Sequence, residues 1–124
     1  LQMSDLNKFK GSSGERIAEE YLKKEGYDIL ARNFRTRLGE IDIVASKGEY
    51  LVFVEVKARK SEAYGFPSES VTYAKQRKIS MVASQYIKLN MYFGAAVRFD
   101  VIEVYLTEGR INHIENAFDS YLKY

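Results

Sequence analysis

The sequence predicts an α/β domain in which a mixed sheet packs between helices. Three observations carry that expectation. Two stretches repeat apolar residues at helical spacing, several short runs are rich in β-branched and aromatic residues, and the order is helix, three strands, helix, two strands.

The elements follow in order. Residues 1–11 are polar and read as a poorly ordered tail, with Leu1-Gln2 as an addition ahead of a natural start at Met3. The whole of 1–124 reads as one domain. Ser12-Ser13-Gly14-Glu15 has the form of a capping box that opens a helix. Ile17, Ala18, Tyr21 and Leu22 supply its apolar stripe, and Gly26 ends it. Residues 27–33 predict a first strand, 40–45 a second and 51–57 a third. Residues 61–67, with Gly65 and the only proline, predict a loop. A long helix is expected over 68–90, with Ile79, Val82, Ala83, Tyr86 and Ile87 as its buried stripe. Gly94 marks a break, residues 97–106 are strongly β-like, and 110–115 predict a short last strand.

Composition narrows the class. The chain is 46% hydrophobic and 29% charged, enough apolar content for a core with an ordinary polar surface. No apolar run approaches the ~20 residues that span a bilayer, so no membrane partner is expected. No signal-peptide pattern is visible and cysteine is absent, which together predict a cytoplasmic protein without disulfide or thiolate chemistry. No Cys/His metal cluster, phosphate-loop motif or serine nucleophile elbow is present. Net charge is only +2, but basic residues cluster at Arg32, Arg35 and Arg37, at Lys57, Arg59 and Lys60, and at Lys75, Arg77 and Lys78. Such patches can contact phosphates even when total charge is near neutral.

The charges inside the second and third strands need a reason, because an unpaired buried charge is costly. Alternation puts Leu51, Phe53, Glu55, Lys57 and Arg59 on one face, and Val52, Val54, Val56 and Ala58 on the other. It likewise groups Glu40 with Asp42, and Ile41 with Ile43 and Ala45. A hairpin through residues 46–50 that sets Asp42 opposite Glu55 makes one continuous apolar face, and a one-residue slip destroys it. Two carboxylates then meet with an ammonium two residues along, a cradle for a divalent cation and a phosphate.

Read together, longer segments carry a resemblance. Gly14-Glu15 with Ala18 and Tyr21-Leu22, then Gly26-Tyr27, Arg32-Asn33 and Gly39-Glu40-Ile41-Asp42, form its first part. Phe53-Val54-Glu55-Val56-Lys57 with Arg59, then Arg98-Phe99-Asp100 and Asn116-Ala117-Phe118, form the second. From about residue 11 to 119 the chain resembles the YraN-like uncharacterised bacterial family, a branch of the PD-(D/E)XK nuclease superfamily related to Holliday-junction resolvases. The resemblance implies a restriction-endonuclease-like αβββαβ core and a Mg²⁺-dependent (or Mn²⁺-dependent) endonuclease acting on DNA, including branched DNA. It implies that Asp42 and Glu55 hold the ion with the Val56 carbonyl, and that Lys57 positions water or stabilises the transition state. The superfamily's leading proline is replaced here by Ile41. Glu15 matches a helix-borne catalytic acid, although an acid in a helix's first turn is also favoured by the dipole. Lys75, Arg59 and Arg37 are the expected nucleic-acid contacts, with a packed lysine stem as the other reading of Lys75. Junction-cutting relatives work as symmetric dimers, so a homodimer is one expected assembly.

Other residues read as structural. Glu40 is expected to face solvent, Asp100 to form an internal ion pair and His113 to take no catalytic part. Tyr64 and Phe66 are the aromatics best placed to meet bases. Two further functions remain from the sequence: a nucleic-acid-binding module without turnover, and a protein-interaction subunit of a DNA-processing complex.

Overall fold

In the computed structural model, residues 3–59 and 71–119 are described, with side chains from residue 13 onward. The elements are α1 (Met3–Lys24), β1 (Asp28–Thr36), β2 (Gly39–Lys47), β3 (Tyr50–Arg59), α2 (Tyr73–Asn90), β4 (Ala96–Tyr105) and β5 (Arg110–Ile114). The sheet order is β1-β2-β3-β4-β5. All neighbours are antiparallel except β3 and β4, which run parallel. That exception follows from the connection, because parallel neighbours need a crossover, and α2 lies in it. The expected mixed sheet with flanking helices is therefore the fold of the described residues. Among them no helix is long and apolar enough to cross a membrane. Tyr64 and Phe66, in the expected 61–67 loop, lie outside the described residues.

Each face of the sheet has its own core. Ala18 and Leu22 of α1 pack with Ile43, Ala45, Val52, Val54, Ile102 and Val104. Ile79, Val82, Ala83, Tyr86 and Ile87 of α2, the stripe read from the sequence, pack with Val44, Leu51, Phe53, Phe99 and Val101. Alternation along β3 thus separates the valines from Leu51 and Phe53 as expected.

Three expectations need correction. Helix α1 runs unbroken from Met3, so Ser12 does not open it and Glu15 is an interior residue. The capping-box pattern loses to continuation of the helix through both serines. Helix α2 begins at Tyr73 rather than 68: Thr72 is its N-cap, in extended conformation, and Thr72 Oγ1 accepts a hydrogen bond from Lys75 N at 3.2 Å. Ile41 does not share a face with Ile43 and Ala45; it belongs with the α2-side core. The partners of Ile41 and Ile43 on β1 are Phe34 and Arg32. Between those partners Asn33 takes φ 49°, a left-handed conformation that asparagine tolerates, and the pleat turns over there.

Two contacts fix where α1 lies. At its far end, Asp100 on β4 is a buried anion and a hydrogen-bond hub. It accepts from Arg98 Nε at 2.9 Å, Arg98 Nη2 at 2.8 Å and Asn116 N at 3.0 Å. His113 Nε2 lies 2.7 Å from the same carboxylate, and His113 Nδ1 lies 3.0 Å from the Tyr21 hydroxyl of α1. A carboxylate can only accept, so His113 Nε2 carries a proton and donates to Asp100. The internal ion pair expected of Asp100 is present, with Arg98 as its partner. Nearer the other end, a Cβ built on Gly14 would lie 2.9 Å from Ala58 Cβ on β3. Neither a methyl nor the strand behind it can yield, so the helix touches the sheet there through bare backbone. Gly14→Ala gains ~1 kcal/mol of helix propensity but incurs the ~1–3 kcal/mol of overpacking. A lower Tm is expected, with Ala58→Gly restoring it in the double variant; an unchanged or raised Tm in Gly14→Ala would show that the contact is slack.

Candidate metal and phosphate site

The β2–β3 ladder runs from Lys47↔Tyr50 to Ile43↔Val54 and stops, although both strands continue. The strands part beyond that pair. Asp42 is the next residue on β2, and it reaches across the gap so that its Oδ2 accepts a 2.8 Å hydrogen bond from Val56 N. The carboxylate takes the place of a ladder carbonyl. The expected register is therefore met at Ile43 and Val54, while the extension to Ile41 with Val56 gives way to this side-chain bridge.

Four carboxyl groups gather at the gap. Glu15 of α1 comes within hydrogen-bonding reach of Asp42, and both feel the charges of Glu40 and Glu55. Asn33 ties two of them together: in the amide orientation that satisfies its neighbours, its Nδ2 donates to Glu40 Oε1 at 2.9 Å and Glu15 Oε2 at 3.2 Å. On the α1 side the gap opens into a cleft of about 170 Å³ lined by Glu15, Arg16, Glu19, Arg32, Asn33 and Asp42. Arg32 is ion-paired with Glu19. Glu40 pairs with Arg35 at 3.0 Å. That partner at the surface fits the solvent-facing role expected of Glu40.

On the other side of the gap, Glu55 carries two ammonium groups on one oxygen. Lys75 Nζ of α2 lies 3.0 Å from Glu55 Oε1 and Lys57 Nζ lies 3.4 Å from it. Lys75 thus enters the site as an ion-pair partner at the first turn of α2. Arg59 stands further along the Glu55 and Lys57 face of β3, with its Nε buried and without a hydrogen-bond partner among the described residues. Arg37 is exposed in the β1–β2 turn.

Electrostatics distinguish the two acids. Glu55 is matched by lysines; among the described residues no cation pairs directly with Asp42. Burial first, then Glu55, push the Asp42 carboxyl up to about 7, with Glu15 and Glu40 adding and the Val56 N–H opposing. Glu15 is also raised, chiefly by burial and against the Asn33 hydrogen bond. Burial, followed by the neighbouring Lys75, lowers the Lys57 amine. Burial works against the charge on Lys75, but its contacts with Lys57 and Glu55 outweigh that and raise it.

An acid raised by burial and by neighbouring carboxylates fits a divalent cation, which would supply the missing positive charge. Among the described residues no three acidic or imidazole groups form a ready ligand set. Asp42 and Glu55 are the carboxylates at the gap that would hold such an ion. Magnesium is the ion that suits one or two carboxylates, because it keeps several waters.

Sequence reasoning missed Asn33 as the link between Glu15 and Glu40, and Gly14 as the point where α1 meets β3. An asparagine within a β-strand, where that residue type is depleted, was the available signal for the first. A glycine next to the acid on a helix was the signal for the second.

Residues 14–104 match the family model described as "Uncharacterised protein family UPF0102". A UPF0102 protein of Clostridioides difficile (strain 630) is 52% identical over 112 residues, covering 90% of this chain and 98% of that protein. A UPF0102 protein of Alkaliphilus oremlandii (strain OhILAs) is 53% identical over 117 residues, covering 91% and 100%. One from Caldicellulosiruptor saccharolyticus is 49% identical over 112 residues, covering 87% and 95%.

Proposed function

The chain belongs to the UPF0102 family, and from that membership together with its site we propose a nuclease of the PD-(D/E)XK superfamily that hydrolyses DNA phosphodiester bonds with Mg²⁺ or Mn²⁺. The observation that carries the proposal is Asp42 bridging the parted strands beside Glu55, with Lys57 and Lys75 on Glu55. That arrangement sets anionic ligands for a cation next to cationic partners for a phosphate.

When bound, the ion supplies Lewis-acid polarisation of the phosphoryl oxygen and acidifies an attacking water. Asp42 and Glu55 would hold it. Lys57, two residues from Glu55 along the same strand face, would stabilise charge developing on the phosphoryl oxygen. Glu15 shares the pocket of Asp42 and accepts or delivers a proton at its carboxyl. Lys75, Arg59 and Arg37 contact the phosphate backbone, so binding weakens as salt rises. Parting of β2 and β3 opens a gap at one end of the sheet, which suits a substrate that presents an unpaired or bent strand, as branched DNA does. A symmetric dimer would act on two strands at once, and the place of work is the cytoplasm.

The test is cleavage of single-stranded, duplex, flap and four-way-junction DNA, with and without Mg²⁺ or Mn²⁺. Ion-dependent cutting is expected, reduced by at least ~10²–10³-fold in Glu55→Gln. Absence of cutting by the wild-type chain, or undiminished cutting by the variant, refutes the proposal. Binding without turnover that survives Asp42→Asn would point instead to a nucleic-acid-binding module.

A further inference from the structure

Glu103 is a buried acid that the proposed chemistry does not use. It lies on β4 and is only 2% exposed. Its Oε1 accepts a 2.6 Å hydrogen bond from Asn112 Nδ2 of β5, while its Oε2 is buried without a hydrogen-bond partner among the described residues. An orphan carboxylate oxygen in the interior is costly, so its retention calls for a reason.

The register supplies one. Glu103 is the parallel-strand partner of Lys57, as Val101 is of Glu55. Paired residues of neighbouring strands point to the same face, and the strands lie about 4.7–4.9 Å apart. Glu103 therefore stands beside Lys57 on the face that Glu55 shares.

Lys57 faces a difficulty that Glu103 would resolve. Its ammonium rests on Glu55 Oε1 together with that of Lys75. A divalent cation bound to the Glu55 carboxylate repels both ammonium groups, and one that takes Oε1 displaces them. The Lys75 side chain is 39% exposed and can turn to solvent or phosphate, whereas that of Lys57 is 17% exposed. A half-buried ammonium that loses its partner needs another acceptor close by.

We propose that Glu103 is a positioning residue whose free oxygen receives the Lys57 ammonium when a divalent ion occupies Asp42 and Glu55. The handover keeps Lys57 charged and aimed along the strand face while freeing Glu55 to bind the ion. Ion binding and lysine placement become one event. This inference rests on the metal-site reading above.

Calorimetric Mg²⁺ titration of the DNA-free chain tests it. Glu103→Gln is isosteric and keeps the acceptor for Asn112, and thermal melting verifies that it is folded. Its Mg²⁺ Kd is expected to rise about tenfold, the lower end for loss of a group supporting metal ligands. The effect should vanish in a Lys57→Met background, since Glu103 acts through that ammonium. Glu103→Asp, which retains the charge, should recover part of the affinity. A Kd in Glu103→Gln within twofold of wild type overturns the handover, as does a weakening that persists undiminished in Lys57→Met. Glu55→Gln separates this from failure of the site: if it binds Mg²⁺ like wild type, the ion is not held at Glu55 and the metal-site reading itself falls.

Discussion

Asp42→Asn is expected to make the chain more stable and inactive at the same time. Asparagine keeps an acceptor for Val56 N, whose 2.8 Å bond to Asp42 bridges β2 and β3. It removes the charge that burial, Glu55, Glu15 and Glu40 all oppose. The sign follows from linkage. The folded carboxyl titrates at about 7, above its ordinary 3.8, so the folded state holds a proton that the unfolded state has lost between those values. Stability contributed by the group therefore falls as pH rises from about 4 to about 7, and the penalty is complete above that. Denaturant melts of Asp42→Asn should match wild type near pH 4 and exceed it by on the order of 1–3 kcal/mol at pH 8. Mg²⁺ should raise the wild-type Tm at pH 8 and leave the variant unmoved, because a ligand stabilises only the state that binds it. Cleavage should fall by at least ~10²–10³-fold. An Asp42→Asn chain less stable than wild type at pH 8 would mean that the carboxylate is a structural anion, and the metal-site argument would lose its motive. Giving up stability for a site that works is a common bargain in proteins.

The opposite behaviour is expected of Asp100, which is also an acid inside the sheet. Burial alone would raise its carboxyl, but hydrogen bonds from His113, Arg98 and the Asn116 N–H hold it below the usual carboxylate value. The same contact raises the Arg98 guanidinium. A depressed carboxyl contributes stability that is present above pH ~4 and lost as pH falls through the folded value. Asp100→Asn presents an amide N–H to groups that also donate, and it leaves Arg98 without its buried anion, with only the exposed Glu115 nearby. Breaking a buried charge pair from one side typically costs ~3–5 kcal/mol, so Asp100→Asn should unfold far earlier in denaturant than wild type. Its loss should be visible in Tyr21 and His113, since the hub ties α1 to β5. A shift under ~1 kcal/mol would show that water replaces the network. The two acids make a matched pair: one is surrounded by donors and holds the fold, the other by acids and opposes it.

Much of the frame was legible in the chain. The stripe of Ile79, Val82, Ala83, Tyr86 and Ile87 and the alternation of Leu51 to Lys57 are direct readings of the 3.6 and 2 periods, and the structure follows both. Element ends were less legible. Ser12 to Glu15 has capping residues, yet α1 continues to Met3. Thr72, with nothing in its neighbourhood to mark it above the rest, caps α2. Caps are decided by whether a turn packs as much as by the residues present. The face of Ile41 was misread for a similar reason: strict alternation assumes an unbroken pleat, and Asn33 at positive φ breaks it across the strand.

What the sequence by itself determined is the content and order of the elements, and that Glu55 and Lys57 share a strand face. Those follow from bond geometry over a few residues and need no partner. Only the tertiary structure decided that β2 and β3 part after Ile43 and Val54, that Gly14 brings Glu15 against the sheet, and that Lys75 and Glu103 flank the same two residues. Each depends on how closely two separate segments approach, which packing of both faces sets and no local pattern encodes.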